Sequence, residues 1–356
     1  MPEPPDSASG RRGGDRPAGG RRARGGPPAR PRLRFSRLPV LDGADLTTRR
    51  LALLEARSGR PGPLVWLTAG IHGDEVGGIV VVQELFRRLR RRPLLAGRLA
   101  AFPLLNPFGF DAASRRIPST EEDLNRSFPG DPAGTFAERM AHLIHSRIVG
   151  DAPALVLDLH NDWIRSIPYA LIDPRPASEA GRTAYARARA AAAATGFPMV
   201  DEQVEGVSRA MLRSTLTGCL LEGGVAALTL ELGGAHVVDE GHVASGLAAV
   251  WRVLADLGVV EPDADAPPAP ALPGRYRGRM LRYGHRPYPS HAGIVRFRVG
   301  PGDFVRPGTP IAAVQDLFGR NVELLRAESE AIVLGHADSS IAVPGVPLVA
   351  MALLSG

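Results

Sequence analysis

Apolar runs alternate with amphipathic stretches along residues 35–260. Leu64–Thr68 reads as a strand. Residues 76–89 follow with Ile79, Val82, Leu85, Phe86 and Leu89 on one helical face. Leu99–Leu105 is a second strand, stopped by Asn106-Pro107. Residues 106–132 read as a long loop rich in Pro, Gly, Arg and Asp, a length that inside a compact domain signals function. The pattern then predicts a helix over Phe136–Ile148, a buried strand over Ala154–Leu159, and helices over Ser178–Thr195 and Leu212–Leu221. A strand over Ala226–Leu230 and a helix over Val243–Leu257 complete it. This alternation predicts an α/β domain with a largely parallel or mixed sheet over 35–260. Residues 261–273 form a Pro/Ala linker. Residues 274–356 have short alternating runs cut by Gly and Pro, the pattern of a small all-β barrel or sandwich.

Composition adds little to that frame but excludes several classes. The single cysteine, Cys219, rules out an internal disulfide and a cysteine-based metal cluster, and suits a reducing cytoplasm, where we expect the protein. Cys219 itself reads as a small apolar side chain. No apolar run approaches the ~20 residues needed to cross a bilayer. The N-terminus reads neither as a secretory nor as a twin-arginine signal, since nothing apolar follows its arginines. The net charge of +6 arises within residues 1–34, which hold nine arginines against Glu3, Asp6 and Asp15. That Arg/Gly/Pro-rich tail is expected to be disordered. The remainder is balanced, so no nucleic-acid-binding face is implied. The arginines at 87–92 read as a solvated helix end that complements the helix dipole.

Candidate chemistry sits at strand ends. His72 and Glu75, in Gly70-Ile-His72-Gly-Asp-Glu75, follow the Leu64–Thr68 strand, and an imidazole and a carboxylate at that spacing can grip one divalent metal. His160 ends Asp158-Leu-His160 after another apolar run and supplies a third ligand. Two histidines and a carboxylate leave a coordination position for water, as a catalytic zinc site requires. Glu231, in Thr229-Leu-Glu231-Leu-Gly-Gly, is the candidate general base. Asn125 and Arg126 suit a carboxylate clamp, and Arg115 or Arg116 could face a developing oxyanion. His142 and His145 read as a helix face. His236 and His242 lie close enough in sequence to Glu231 to be weighed as pocket residues. Arg165, Arg209 and Arg213, within 161–225, are candidates for specificity.

The ordered set His72-x-x-Glu75, Arg115, Asp-Leu-Asn125-Arg126, Asp-Leu-His160 and Leu-Glu231-Leu-Gly-Gly resembles the succinylglutamate desuccinylase/aspartoacylase family of the zinc carboxypeptidase superfamily. The resemblance covers residues 35–356. It implies a carboxypeptidase-like mixed sheet flanked by helices and one zinc ion per chain on His72, Glu75 and His160. It further implies Glu231 as general base and acid, and Asn125 and Arg126 on a substrate carboxylate. Arg115-Arg-Ile-Pro118 matches the family's Arg-Tyr-x-Pro, which makes Arg115 the carbonyl-polarising arginine, with Arg116 in place of the usual aromatic. Glu121-Glu122 replaces the usual Asp-Gly. The C-terminal segment resembles the family's biotinyl/lipoyl-like β domain, but with no lysine in the chain it cannot carry biotin or lipoate. The implied activity is zinc-dependent deacylation of an N-acyl amino acid or similar small amide. The rivals are a metallocarboxypeptidase acting on short peptides and a non-catalytic scaffold. Neither a nucleic acid nor a membrane is expected as partner; an edge strand or the β domain could support a homo-oligomer.

Overall fold

The computed structural model describes residues 32–42, 46–202 and 208–354, so most of the predicted tail lies outside the described residues. Strands β1 (Arg32–Asp42) and β2 (Thr48–Arg57) pair antiparallel, which makes residues 32–34 part of a strand rather than of a tail. Next come β3 (Leu64–Ala69), α1 (Gly77–Leu89), β4 (Arg98–Phe102), α2 (Pro107–Asp111), α3 (Phe136–Gly150) and β5 (Leu155–Asp162). After a short β6 (Arg165–Ser166) follow β7 (Pro168–Ile172), α4 (Glu179–Thr195), β8 (Met199–Asp201), α5 (Arg209–Leu212), α6 (Leu216–Glu222), β9 (Ala227–Gly234) and α7 (Glu240–Asp256). The rest is strand: β10 (Met280–Gly284), β11 (Gly293–Phe297), β12 (Phe304–Val305), β13 (Pro310–Gln315), β14 (Asn321–Arg326), β15 (Ala331–His336), β16 (Ile341–Ala342) and β17 (Val349–Leu353).

One mixed sheet runs in the order β1-β2-β4-β3-β5-β9-β7-β8-β10-β17-β15-β12. Its centre, β4-β3-β5-β9, is parallel. Strands β3 and β5 are buried almost throughout, which is why their sequences read as continuous apolar runs instead of alternating ones. Helices α1, α7 and α4 pack side by side and against the sheet, with Val81, Val82, Leu85, Phe86 and Leu89 of α1 facing the core.

Several predicted boundaries move for local reasons. Asp239 accepts the amide of His242 and starts α7 at Glu240, ahead of the predicted Val243. The predicted helix over Leu212–Leu221 is two helices, because Thr215 turns out of helical geometry and caps the second through the amide of Gly218. The long loop contains α2, capped by Asn106, and a single 3-10 turn over Leu124–Arg126.

The Pro/Ala stretch is anchored rather than free. Asp263 accepts Arg88 and Arg92 from the end of α1, the Trp251 indole donates to Glu261 O at 2.8 Å, and Arg252 donates to Pro267 O. Arg88 also lies over the Trp251 ring at 4.3 Å. Arg88 and Arg92 are therefore structural cations, not the solvated helix end expected from sequence.

Beyond it, β10 joins β8 in parallel and continues the main sheet, while β14-β13-β11-β16 form a separate antiparallel sheet. Tyr169, Leu171 and Val200 share an apolar cluster with Tyr276, Leu281, Ile332 and Leu334, so the C-terminal strands pack directly against β7 and β8. Among the described residues no helix is long and apolar enough to cross a membrane.

Candidate active site

The carboxyl ends of parallel strands open at one edge of the sheet, where open α/β folds place their chemistry. Strand β3 ends at Ala69; Gly70 then takes φ +59°, a left-handed conformation that redirects the chain into His72-Gly-Asp-Glu75. Gly73 packs so tightly that a Cβ there would lie 1.9 Å from the carbonyl carbon of Gly109 in α2. On the neighbouring strands His160 of β5 stands in register with Glu231 of β9. Register alone thus brings residues 71 positions apart onto the same edge.

His72, Glu75 and His160 are all buried, and their ligand atoms lie within 4.8 Å of one another. His72 Nδ1 lies 2.5 Å from Glu75 Oε1, and His160 Nδ1 lies 2.9 Å from Glu75 Oε2. On the far side of its ring, His160 Nε2 donates to Asp158 Oδ2 at 2.9 Å, and Asp158 Oδ1 accepts the Thr68 hydroxyl at 2.6 Å. His72 Nε2 faces Asp123 Oδ1 at 3.4 Å. Both imidazoles therefore turn Nδ1 inward and Nε2 toward a carboxylate, the outer-shell arrangement typical of metal-ligating histidines. Burial disfavours the His160 imidazolium, but Asp158 and Glu75 outweigh it and raise its pKa well above the usual histidine value. Burial likewise works to raise Glu75, yet His72 and His160 hold it well below the carboxylate range. Two ring nitrogens and a carboxylate converging in a buried space are suited to a divalent cation, which could be held by these three residues.

The other predicted residues line the same cleft, whose volume is about 470 Å³. Arg115 reaches His72 Nδ1 at 3.2 Å and is held by Asp123 Oδ2 at 3.1 Å. Arg116 instead points away and donates to Glu121 O. Asn125 Oδ1 accepts the amide of Leu216 at 2.9 Å, leaving its NH2 as a donor, and Arg126 sits beside it. Burial pushes the Glu231 carboxyl well above its usual range, with His160 opposing and Asp162 and Glu75 adding to it. Its Oε2 is buried without a hydrogen-bond partner.

The model of the succinylglutamate desuccinylase/aspartoacylase catalytic domain matches residues 61–257. The chain belongs to this family. An N-alpha-acetyl-L-2,4-diaminobutyric acid deacetylase from Halomonas elongata is 30% identical over 282 residues, 76% of this chain and 77% of that protein. A family member from Rhodobacter sphaeroides of known crystal structure superposes with a TM-score of 0.71 at 25% identity, covering 92% of this chain and 95% of that one. The product-bound ectoine utilization protein EutE (DoeB) of Ruegeria pomeroyi shares the fold, with a TM-score of 0.71 at 23% identity over 92% of this chain and 97% of that one. His72, Glu75 and His160 all lie within the matched residues.

Several residues of the site had no assigned role from sequence. Asp158 was visible in Asp-Leu-His160, two positions before the histidine and so on the same face of the strand. Asn161 is the hub beneath: its amide nitrogen contacts the carbonyls of Leu232, Gly233 and Gly234, its Oδ1 accepts Gly77 N, and its backbone N donates to Glu75 Oε2. Glu122, at the departure from the family pattern, accepts Ala137 N in the first turn of α3. His236 is exposed, and His242 lines a separate small cavity, so neither enters the cleft. Arg165 is exposed and Arg213 pairs with Glu222; the Arg209 side chain lies outside the described residues.

Proposed function

We propose that this chain is a zinc-dependent deacylase that hydrolyses the amide of an N-acyl amino acid or a similar small carboxylate-bearing amide. The observation that carries the reading is the convergence of His72, Glu75 and His160 beside Glu231, in one cleft with Arg115, Asn125 and Arg126. In this reading His72, Glu75 and His160 hold one zinc ion, which supplies Lewis acidity to a water molecule and to the acyl carbonyl. Glu231 takes a proton from the attacking water as its oxygen bonds to the carbonyl carbon. It then delivers that proton to the nitrogen as the C–N bond breaks, releasing a carboxylic acid and a free amine. The raised pKa of Glu231 suits a group that must hold a proton between those two steps. Arg115 donates to the carbonyl oxygen as it gains charge. The Asn125 amide and the Arg126 guanidinium hold a substrate carboxylate and fix the scissile bond over the metal ligands.

Residues 35–260 carry this chemistry in the cytoplasm, and residues 274–356 form a β domain similar to a biotinyl/lipoyl carrier but without the carrier's lysine. Either β1, at the sheet edge, or the separate antiparallel sheet offers a surface for a homo-oligomer. The test is a screen of N-acetyl and N-succinyl amino acids, including N-acetyl-2,4-diaminobutyrate, against short peptides, with protein stripped of metal and reloaded with zinc. Turnover of acyl amino acids that disappears on chelation and returns with zinc is expected. Glu231→Gln should retain zinc and lose activity by about 10²–10⁴-fold. Peptide cleavage without deacylation, or unimpaired turnover by zinc-loaded Glu231→Gln, would overturn the assignment.

A further inference from the structure

Part of the cleft lining is acidic and hydroxylic, although arginines were the residues singled out in that segment. It is built by Leu171, Glu202, Thr215, Thr217 and Thr229. Glu202 and Asp173 follow the last paired residues of adjacent parallel strands, Asp201 of β8 and Ile172 of β7, and Glu202 N donates to Ile172 O at 2.9 Å. The two carboxylates are therefore neighbours, yet they differ in their partners. Asp173 is buried and accepts the Thr215 hydroxyl at 3.3 Å. Glu202 opens onto the cleft, and among the described residues no ion pair or side-chain hydrogen bond reaches its carboxylate. Arg126, a cation of the same cleft, donates instead to Asn125 O.

An acid placed beside another acid, partly enclosed and without an ion pair of its own, is costly to ionise until a cation docks against it. We propose that Glu202 anchors a subsite for a positively charged amino group on the side chain of the substrate's amine half. The proposal rests on the deacylase reading and deepens it: the preferred substrates are N-acyl derivatives of diamino acids. A ligand carboxylate on Arg126 and Asn125 and a side-chain ammonium on Glu202 would be held by one wall of the cleft, with the acyl amide toward His72 and His160. The electrostatics agree. Burial and the neighbouring Asp173, against Arg126 and His160, push the Glu202 carboxyl up to about 8, so it holds a proton near neutral pH and releases that proton as an ammonium docks beside it.

The experiment compares 2,4-diaminobutyrate with 2-aminobutyrate, which lacks only the side-chain amino group, by calorimetric titration of the zinc-loaded full-length protein. A charge-assisted hydrogen bond predicts that the wild type binds 2,4-diaminobutyrate about 10- to 100-fold more tightly. Glu202→Gln should bring the two ligands to within about threefold of each other and leave 2-aminobutyrate affinity unchanged. Equal affinities in the wild type, failure of both to bind, or a preference that survives in Glu202→Gln would overturn the subsite. If Glu202→Gln does not fold, as judged by thermal melting, Glu202→Ala takes its place with the same expected outcome. Turnover of N-acetyl-2-aminobutyrate is measured separately. Turnover without the binding preference defeats the subsite and leaves the deacylase. The preference without turnover of any acyl amino acid defeats the deacylase and leaves the subsite.

Discussion

Replacing Asp158 with asparagine tests whether the outer carboxylate prepares His160 as a metal ligand. Asp158 is fully buried, with one oxygen on His160 Nε2 at 2.9 Å and the other on the Thr68 hydroxyl at 2.6 Å. Accepting Nε2–H leaves Nδ1 as the nitrogen that would give up its proton to bind a metal. Asparagine has the same shape but one acceptor and no charge. With its oxygen toward His160, its NH2 faces Thr68, whose hydroxyl loses its acceptor. With the amide reversed, NH2 faces Nε2 and drives the ring proton onto Nδ1, the atom a metal needs. Either arrangement weakens the ligand, and outer-shell losses of this kind cost about 10- to 100-fold in metal affinity, or roughly 1.4–2.7 kcal/mol. The assay is competition for zinc against a fluorescent chelator at pH 7, with thermal melting of the metal-free proteins to establish that the fold is intact. Thr68→Ala, which keeps the charge and removes only one donor, should show a smaller loss. Zinc affinity of Asp158→Asn within about threefold of wild type, in a folded protein, would refute the role given to Asp158.

Three further outcomes follow from the packing and charge of the molecule. Asp173 has its pKa raised by burial to about 6 from an ordinary 3.8, so the folded state holds that proton to higher pH than the unfolded chain, and stability falls as pH rises between those values. Asp173→Asn should therefore raise the unfolding free energy at pH 8 by at most about 3 kcal/mol, seen as a higher melting temperature, and the gain should vanish near pH 4; a pH-independent gap would contradict this. Gly73→Ala should cost more zinc affinity than stability, because relieving a Cβ placed 1.9 Å from Gly109 shifts the turn that carries His72 and Glu75, and unchanged zinc affinity would count against that. Asp263→Ala should lower unfolding free energy by about 1–3 kcal/mol, since Arg88 and Arg92 lose their shared carboxylate, while kcat stays unchanged; full stability in urea denaturation would show that the Pro/Ala stretch is not a structural strap.

Legibility in this sequence follows from how each residue is buried. β3 and β5 stood out because burial on both faces makes them apolar without interruption. β1 and β2 did not, because one lies at the sheet edge and the other beside it, and their exposed positions carry arginines such as Arg34, Arg37, Arg49 and Arg50. β7 and β8 are too short to show a period, and β8 joins β10 across some 80 residues of chain. The misread of Arg88 and Arg92 has the same origin: the Asp263 that neutralises them is remote in sequence, in a stretch whose composition suggests a linker.

The candidate site divides along a similar line. A histidine or carboxylate immediately after an apolar run announces itself, because the run predicts the strand and the strand predicts the edge. His72, Glu75, His160 and Glu231 all have that local context. Glu202 has none: it follows a strand of three residues, Met199–Asp201, and precedes a stretch without apolar pattern. Only the pairing of Ile172 with Asp201 puts it beside Asp173 and on the wall of the cleft. Metal chemistry in such a fold is written into strand ends, whereas the choice of substrate depends on which weakly patterned segments the register sets across from them. Two members of this family could then keep every ligand-bearing motif and differ in what they hydrolyse through a single acid or base at the position of Glu202.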